Sequence, residues 1–395
     1  MSRVLTSLLG AVLALSPGCN QTSAGRNSGP YVQRVTPTSA IVGMITEDPQ
    51  PLRLQGVAVE SGVEFSTSDA QGVQIHGLQA SGLEPSTEYA YTVETESGVV
   101  LGGGTFHTAP EGSDGTCVFL VTGDSGGTDD EEGEGEVISG AREALDSARG
   151  ADEDTNRQGD VASAMLTRKA DLVLHTGDVV YPAGAREDYE EGYFRPFAPL
   201  IANVPVYPTL GNHDVKTDGG QPYLETFFLP ENGPGHDGRT YSFDWGPVHF
   251  VALDVVSSSS ESNSEQTEWL ERDLAASTRR WTVVFFHVPP FSAYRNSNEV
   301  LRGDLTEVLE RLGVDLVFSG HDHHYARFAP RKSTTYIVTG GGGKNLYRVR
   351  DAENLVYAES VFHFVEVRAD LGSLVVRAVD LSGSVFDELT IRKQQ

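Results

Sequence analysis

Two domains of different class are predicted by this sequence, an all-β sandwich over residues 30–110 and an α/β domain over 111–395. Three observations carry the prediction. The 395 residues exceed a usual single domain. Between 30 and 110, short runs alternate apolar and polar residues, separated by Gly, Pro, Ser and Asp, with no helical period. Beyond Pro110 the texture changes to short apolar runs, each stopping at a Gly-rich polar motif, with helical patterns between them. A hydrophobic content of 38% is enough for packed cores and excludes a disordered chain. Charge narrows the function. Asp and Glu number 56 against 29 Lys and Arg, a formal net charge of −27. Such a surface is no nucleic-acid binder, because phosphate backbones are held by clustered Lys and Arg. No polybasic membrane patch occurs. Two cysteines, Cys19 and Cys117, are too few for a disulfide scaffold or a zinc–thiolate site.

Taken in order, residues 1–19 read as an export signal. Arg3 precedes an apolar run from 4 to 15, shorter than the roughly 18 residues a spanning helix needs, and Ser16, Pro17 and Gly18 lead to Cys19. The segment resembles a bacterial lipoprotein signal. That resemblance implies Cys19 as the lipidated residue and export to the periplasm or cell surface as an outer-membrane lipoprotein. Plain secretion, with Cys19 near or beyond the cut, is the alternative. Residues 20–29 are then a Gly/Ser/Asn tether. In 30–110, strands are predicted at 40–45, 54–59, 73–78, 89–93 and 98–107, a pattern that means a sandwich. The stretch from Leu83 through Glu84, Pro85 and Tyr89 to Tyr91 resembles the part of fibronectin type III domains where a tyrosine packs at a strand corner. His76 and His107 read as strand-face or solvated residues. No chemistry is assigned to this domain, which reads as a spacer or docking module.

In the second domain each apolar run delivers a polar motif. Residues 117–121 stop at Gly123, Asp124, Ser125 and Gly126, and 171–175 at Gly177, Asp178 and Tyr181. Residues 204–209 stop at Gly211, Asn212, His213 and Asp214, 281–286 at His287, and 314–318 at Gly320, His321, Asp322, His323 and His324. Helical patterns at 266–276 and 301–312 intervene. In open α/β sheets the carboxyl ends of strands are where sites assemble. Any one of these motifs is commonly a turn or a loop; five in order within one domain are a metal site. Asp124, Asp178, Tyr181, Asn212, His287, His321 and His323 supply three potentially anionic oxygens, one amide and three imidazoles. Seven donors exceed one tetrahedral zinc. They suit two adjacent metals sharing a carboxylate, the arrangement for in-line phosphoryl displacement. His321 and His323 are two apart, so on a strand they point the same way; on a loop they diverge and serve one metal each. Cys117, inside an apolar run, reads as a buried small hydrophobe.

On these residues the chain resembles a purple acid phosphatase of the calcineurin-like metallophosphoesterase superfamily, from about Pro30 to the C-terminus. Tyr241, Ser242, Phe243 and Asp244, the run 248–254, Trp269 with Leu270, and Val338 through Gly343 add to the likeness. The resemblance implies an N-terminal fibronectin type III-like sandwich followed by an α/β four-layer (αββα) metallophosphoesterase sandwich. It implies Fe(III) on Asp124, Asp178, Tyr181 and His323. A divalent metal (Zn, Fe or Mn) would be held by Asp178, Asn212, His287 and His321, with Asp178 bridging. Generic relatives place a histidine where this chain has Gly126 and lack a tyrosine where it has Tyr181. Exchanging a neutral imidazole for a phenolate favours the harder, more highly charged ion. The implied activity is hydrolysis of small phosphate monoesters by a hydroxide that the metals activate. The alternatives are a phosphodiesterase or nucleotidase on the same metals, and a catalytically silent surface-binding lipoprotein. His213 would contact phosphate or protonate the leaving group, and Asp214 would orient His213.

The family's substrate-contacting histidines have no counterpart in Tyr294, Arg295, Asn296, Ser297 and Asn298. Arg295 offers a bidentate phosphate contact instead, and His324 is either a further contact or a solvated ring. Residues 127–160 hold twelve Asp and Glu against three Arg and read as a solvated acidic insertion. His175 and His249 read as core residues, His236 as part of a loop, and His363 as part of a last β-segment over 361–379. Gly340, Gly341, Gly342 and Gly343 read as a floor near the metals, because the Gly-Lys-Ser/Thr ending of a phosphate loop is missing.

Overall fold

Strand alternation in the first hundred residues builds β1 (Ser28–Gln33), β2 (Ser39–Ala58), β3 (Glu64–Ser81), β4 (Glu88–Thr95) and β5 (Val100–His107). The computed structural model describes residues 27–126, 156–258, 264–294 and 301–393. Cys19, Arg295, the export signal and residues 127–155 of the acidic insertion lie outside the described residues; of that insertion, Asp160 belongs to a helix. All pairings in the first sheet are antiparallel. The strand β2 runs on where two separate strands are predicted, pairing with β1 in its first half, β4 in its second and β3 along both. The apparent break at Glu47, Asp48, Pro49, Gln50 and Pro51 is absorbed as register shifts around Gln50, since bulges are where a strand tolerates proline. Tyr89 forms the predicted corner: its hydroxyl accepts from the Glu84 N–H at 2.8 Å.

The second domain is two sheets face to face. One holds β6 (Cys117–Thr122), β7 (Leu172–His175) and β8 (Val206–Pro208), completed by the last strands of the chain. The other holds β9 (Tyr241–Trp245), β10 (Val248–Ala252), β11 (Trp281–Phe285), β12 (Leu316–Ser319), β13 (Tyr325–Phe328), β14 (Thr335–Thr339) and β15 (Leu355–Glu359). The chain then returns to the first sheet through β16 (His363–Ala369), β17 (Ser373–Asp380) and β18 (Val385–Arg392), giving the orders β18-β17-β16-β6-β7-β8 and β15-β13-β14-β12-β11-β10-β9. Phe119 of β6 meets Phe250 of β10 edge-on at 5.0 Å, and Tyr207 of β8 stacks on Phe243 of β9 at 3.9 Å. The core therefore sits between the sheets, as burial on both faces of these strands requires. Helix α1 (Gln158–Met165) lies against β16, α2 (Arg195–Ile201) packs on α1 and on β1 of the N-terminal sheet, and α3 (Gln221–Thr226) follows β8. On the second, α4 (Glu265–Ala276) and α5 (Thr306–Arg311) bury Leu270, Val308 and Leu309 against Val251, Val284 and Val317. Ser264 caps α4 by accepting from the Thr267 N–H. The order helix, sheet, sheet, helix is the expected four layers.

The first domain is no detached spacer. The Tyr31 hydroxyl donates to the Thr226 carbonyl at 2.7 Å, its ring lies 5.2 Å from that of Phe194, and the Tyr91 hydroxyl reaches the Ala202 carbonyl at 2.8 Å. Gln33 bridges both ways, donating to the Val206 carbonyl and accepting from the Phe228 N–H. Buried tyrosines satisfied across a boundary mark a shared core. No helix among the described residues is long and apolar enough to cross a membrane.

His249 is more than a core residue. It stands on β10 between Asp244 of β9 (2.7 Å) and Asp273 of α4 (2.8 Å), and Arg279 holds the second oxygen of Asp244 at 3.0 Å. Burial alone would lower its pKa, but hydrogen bonds to both carboxylates raise it to about 9. A group raised in the fold above its unfolded value contributes stability in full below about pH 6.5 and loses it as pH climbs through about 9. The shift caps the contribution at about 3 kcal/mol, and solvent screening at the partly exposed Asp244 brings it to roughly 2 kcal/mol. The gap in thermal midpoint between wild type and His249→Gln should accordingly narrow between about pH 6 and about pH 9.5. A gap independent of pH would mean that the ring is neutral in the fold.

Candidate metal centre

Register brings the predicted donors together. Parallel pairing sets Thr122 of β6 opposite His175 of β7, so Asp124 and Asp178 leave adjacent strand ends. Phe285 of β11 pairs with Phe318 of β12, which does the same for His287 and His321. Asp124, Asp178 and His321 all have left-handed φ values of 56°, 50° and 67°. Side-chain-bearing residues adopt that region rarely, and clusters of them mark functional loops. A Cβ on Gly320 or Gly340 would come within 2.4 or 2.8 Å of an Asp124 carboxylate oxygen, so both glycines are required for that approach.

Two groups of donors meet at Asp178. On one side the Tyr181 hydroxyl lies 3.0 Å from Asp178 Oδ2, 3.4 Å from Asp124 Oδ1 and 3.2 Å from His323 Nε2. On the other, His287 Nε2 lies 3.0 Å from Asn212 Oδ1, 3.2 Å from His321 Nδ1 and 3.3 Å from Asp178 Oδ2. All seven predicted ligands are therefore in the cluster, and His321 and His323 diverge to opposite sides of it. The tautomers are set from behind. His287 Nδ1 donates to the Thr176 carbonyl at 2.9 Å and His323 Nδ1 to the Asn345 carbonyl at 2.7 Å, the support that metal-binding imidazoles characteristically have. In neutral rings held this way each Nε2 is a lone pair aimed at other acceptors. Convergence of acceptors on one buried point calls for a cation, so the donors fit a metal pair.

The charges around the cluster agree. Burial would raise Asp178, but His287 beside it holds its carboxyl well below the usual range. Burial would lower His287, but the charge and hydrogen bond of Asp178 raise it to about 9, so the carboxylates here favour positive charge beside them. Burial, then the charges of Asp178 and Asp124, push the Tyr181 phenol far up, so a phenolate here requires a strongly charged ion.

Two substrate-side expectations change. Asp214 does not hold His213. Its completely buried carboxylate accepts from the Val179, Val180 and Gly211 N–H groups, tying the loop after β7 to the loop after β8. His213 is instead held by its Nδ1, 2.5 Å from the Pro182 carbonyl, by its N–H to Asp178 Oδ1, and by packing at a tilt of 44° against the Tyr181 ring, 4.3 Å between centroids. Burial first, then Lys216 beside it, lower the pKa of His213. His324 is completely buried, whereas Asn212, His213 and His321 are partly exposed; the reachable side of the cluster belongs to His213. Gly126 has φ of 111°, and a Cβ there would lie 2.5 Å from Asn156 Oδ1, so this backbone has no place for a histidine at that position. Sequence reasoning did not find Thr176, Asn345, Lys344 or Tyr347, whose ring stacks on His323 at 4.1 Å and 13°. Only the glycine run preceding Lys344 could have pointed to any of them.

Residues 118–325, more than half of the chain, match the family described as calcineurin-like phosphoesterase. The chain is 29% identical over 290 residues to purple acid phosphatase 21 of Arabidopsis thaliana, covering 68% of this chain and 58% of that one. It is 26% identical over 185 residues to acid phosphatase type 7 of Mus musculus, covering 40% and 41%. It spans about half the length of the curated relatives it matches. Purple acid phosphatase PPD1 from yellow lupin (Lupinus luteus) seeds shares the fold, with a TM-score of 0.78 at 19% identity over 93% of this chain and 74% of that one.

Proposed function

Since the chain belongs to the calcineurin-like phosphoesterase family, we propose that it hydrolyses small phosphate monoesters at a two-metal centre of the purple acid phosphatase type. The observation that carries this reading is Asp178 Oδ2, shared between the Tyr181 hydroxyl at 3.0 Å and His287 Nε2 at 3.3 Å. We assign Fe(III) to Asp124, Asp178, Tyr181 and His323, and a divalent ion (Zn, Fe or Mn) to Asp178, Asn212, His287 and His321. Two carboxylates and a phenolate against one imidazole are a hard, anionic set that suits a trivalent ion. Ions bound there supply Lewis acidity toward phosphoryl oxygens and acidify water. The chain's own residues do the orienting. The Thr176 and Asn345 carbonyls keep two imidazole lone pairs turned inward. His213 stands on the open side with Nδ1 committed to Pro182, so Nε2 is the atom left to contact phosphate or to pass a proton to the departing alkoxide. We read the first domain as fibronectin type III-like on its Tyr89 corner, and an exported, lipid-anchored protein on residues 1–19 with Cys19.

Metal-loaded protein should turn over p-nitrophenyl phosphate, and His213→Ala should lower kcat roughly 10²–10³-fold with the metals retained. Metal lost together with activity would remove that role for His213. Aerobically loaded protein should absorb in the visible through phenolate-to-Fe(III) charge transfer, and Tyr181→Phe should be colourless. A colourless wild type that is active with Zn²⁺ or Mn²⁺ would replace Fe(III) with a divalent pair.

A further inference from the structure

Lys344 follows the glycine run and ends beside the metal centre. Its N–H donates to the main-chain oxygen of Asp124 at 3.1 Å, and the Gly342 N–H donates to the Gly123 carbonyl at 3.0 Å. The loop thus lies directly on the end of β6; a Cβ on Gly343 would come within 2.2 Å of the Ser125 carbonyl oxygen. From that fixed root the half-buried side chain places its ammonium 4.7 Å from the centroid of the Tyr181 ring. The imidazole of His213 packs at a tilt against the same ring, 4.3 Å between centroids, and Lys216 Nζ lies 3.2 Å from His213 Nδ1. Two nitrogen-bearing side chains therefore flank the Tyr181 ring, with Lys216 beside the second of them, in a chain whose acidic residues outnumber its basic ones 56 to 29. Positive charge concentrated at one mouth of an acidic protein focuses anions there, whatever the total charge.

We propose that Lys344 makes the centre prefer dianionic phosphate monoesters over monoanionic diesters, by pairing with a non-bridging oxygen of the phosphoryl group. The inference rests on the phosphoesterase reading and names its substrate class. A monoester dianion presents three non-bridging oxygens and two charges. Esterifying one oxygen removes an acceptor and a charge, so the partner of an added ammonium is weakened in the diester while the rest of the centre is unchanged. Lysine suits this role because its ammonium is a compact point charge on a flexible stem, able to follow an oxygen without fixed geometry. Packing against the Tyr181 ring restrains that stem on the side of the cluster where Asp124 and His323 also lie.

The test uses the full-length, metal-loaded protein and its K344Q and K344R variants. It compares kcat/KM for p-nitrophenyl phosphate with that for bis(p-nitrophenyl) phosphate, and measures inorganic phosphate binding by calorimetry together with metal content. K344Q should weaken phosphate binding and monoester kcat/KM about 10-fold each, as expected for loss of one charge-assisted hydrogen bond. The diester rate should stay within about 2-fold, metal content should hold, and K344R, which keeps the charge in a bulkier group, should retain part of the preference. K332Q removes an exposed lysine beside Glu310 and controls for net charge. Monoester and diester rates falling together, or phosphate binding unchanged in K344Q, would overturn the inference alone. A metal-loaded wild type that neither binds phosphate nor turns over either ester would overturn the inference and the phosphoesterase reading together.

Discussion

Asp178→Ala should empty both halves of the centre and lower turnover by at least about three orders of magnitude, roughly 4 kcal/mol of transition-state stabilisation. The size of the effect follows from position. Asp178 is the side chain in contact with the Tyr181 hydroxyl, His287 Nε2 and, through Oδ1, the N–H of His213 at 2.8 Å. Removing it takes a shared ligand from two ions and leaves the buried His287 without the carboxylate that raises its pKa. A peripheral ligand behaves differently. His323 touches the Tyr181 and Asp124 side, so His323→Ala should retain about one metal equivalent where Asp178→Ala retains none. Metal analysis of the two variants decides it: two equivalents in Asp178→Ala would end the bridging assignment, whatever happens to activity.

The residues of the cluster were legible in the sequence for a physical reason. A strand buried on both faces must be apolar, so a polar motif at its end stands out, and parallel strands bring such ends to one edge. Asp124, Asp178, Asn212, His287 and His321 were all found this way. What supports them was not. Thr176 and Asn345 act through main-chain carbonyls, which any residue possesses. Tyr347 and Lys344 reach the cluster across a loop that has no period of its own. The continuous β2 was read as two strands because its prolines look like a break, and the bulge that tolerates them is a property of pairing. The packing of Tyr31 and Gln33 onto the second domain is equally invisible, since local alternation reports which face is buried and not against what.

Asp214→Asn should destabilise the protein by roughly 2–3 kcal/mol, a larger effect on folding than its neighbour His213 can produce. An orienting partner for His213 would tolerate replacement at some expense in turnover alone. The observed carboxylate instead accepts from the Gly211 N–H at 2.8 Å, the Val179 N–H at 3.0 Å and the Val180 N–H at 3.4 Å, in a site closed to solvent. Asparagine keeps the shape, but it brings an NH₂ to a place where N–H groups already point, so donor faces donor and at least one backbone group loses its partner. The two loops joined there carry Asp178 and Asn212, one ligand apiece, and loosening them should lower metal content as well. His213→Ala removes a half-buried ring and should change stability by no more than about 1 kcal/mol. Unfolding midpoints and metal content, measured on both variants, therefore separate a brace from a catalytic dyad. Asp214→Asn that unfolds with wild type, retains its metals and loses turnover in step with His213→Ala would make Asp214 a partner of His213 after all, acting through a contact that forms only with substrate bound.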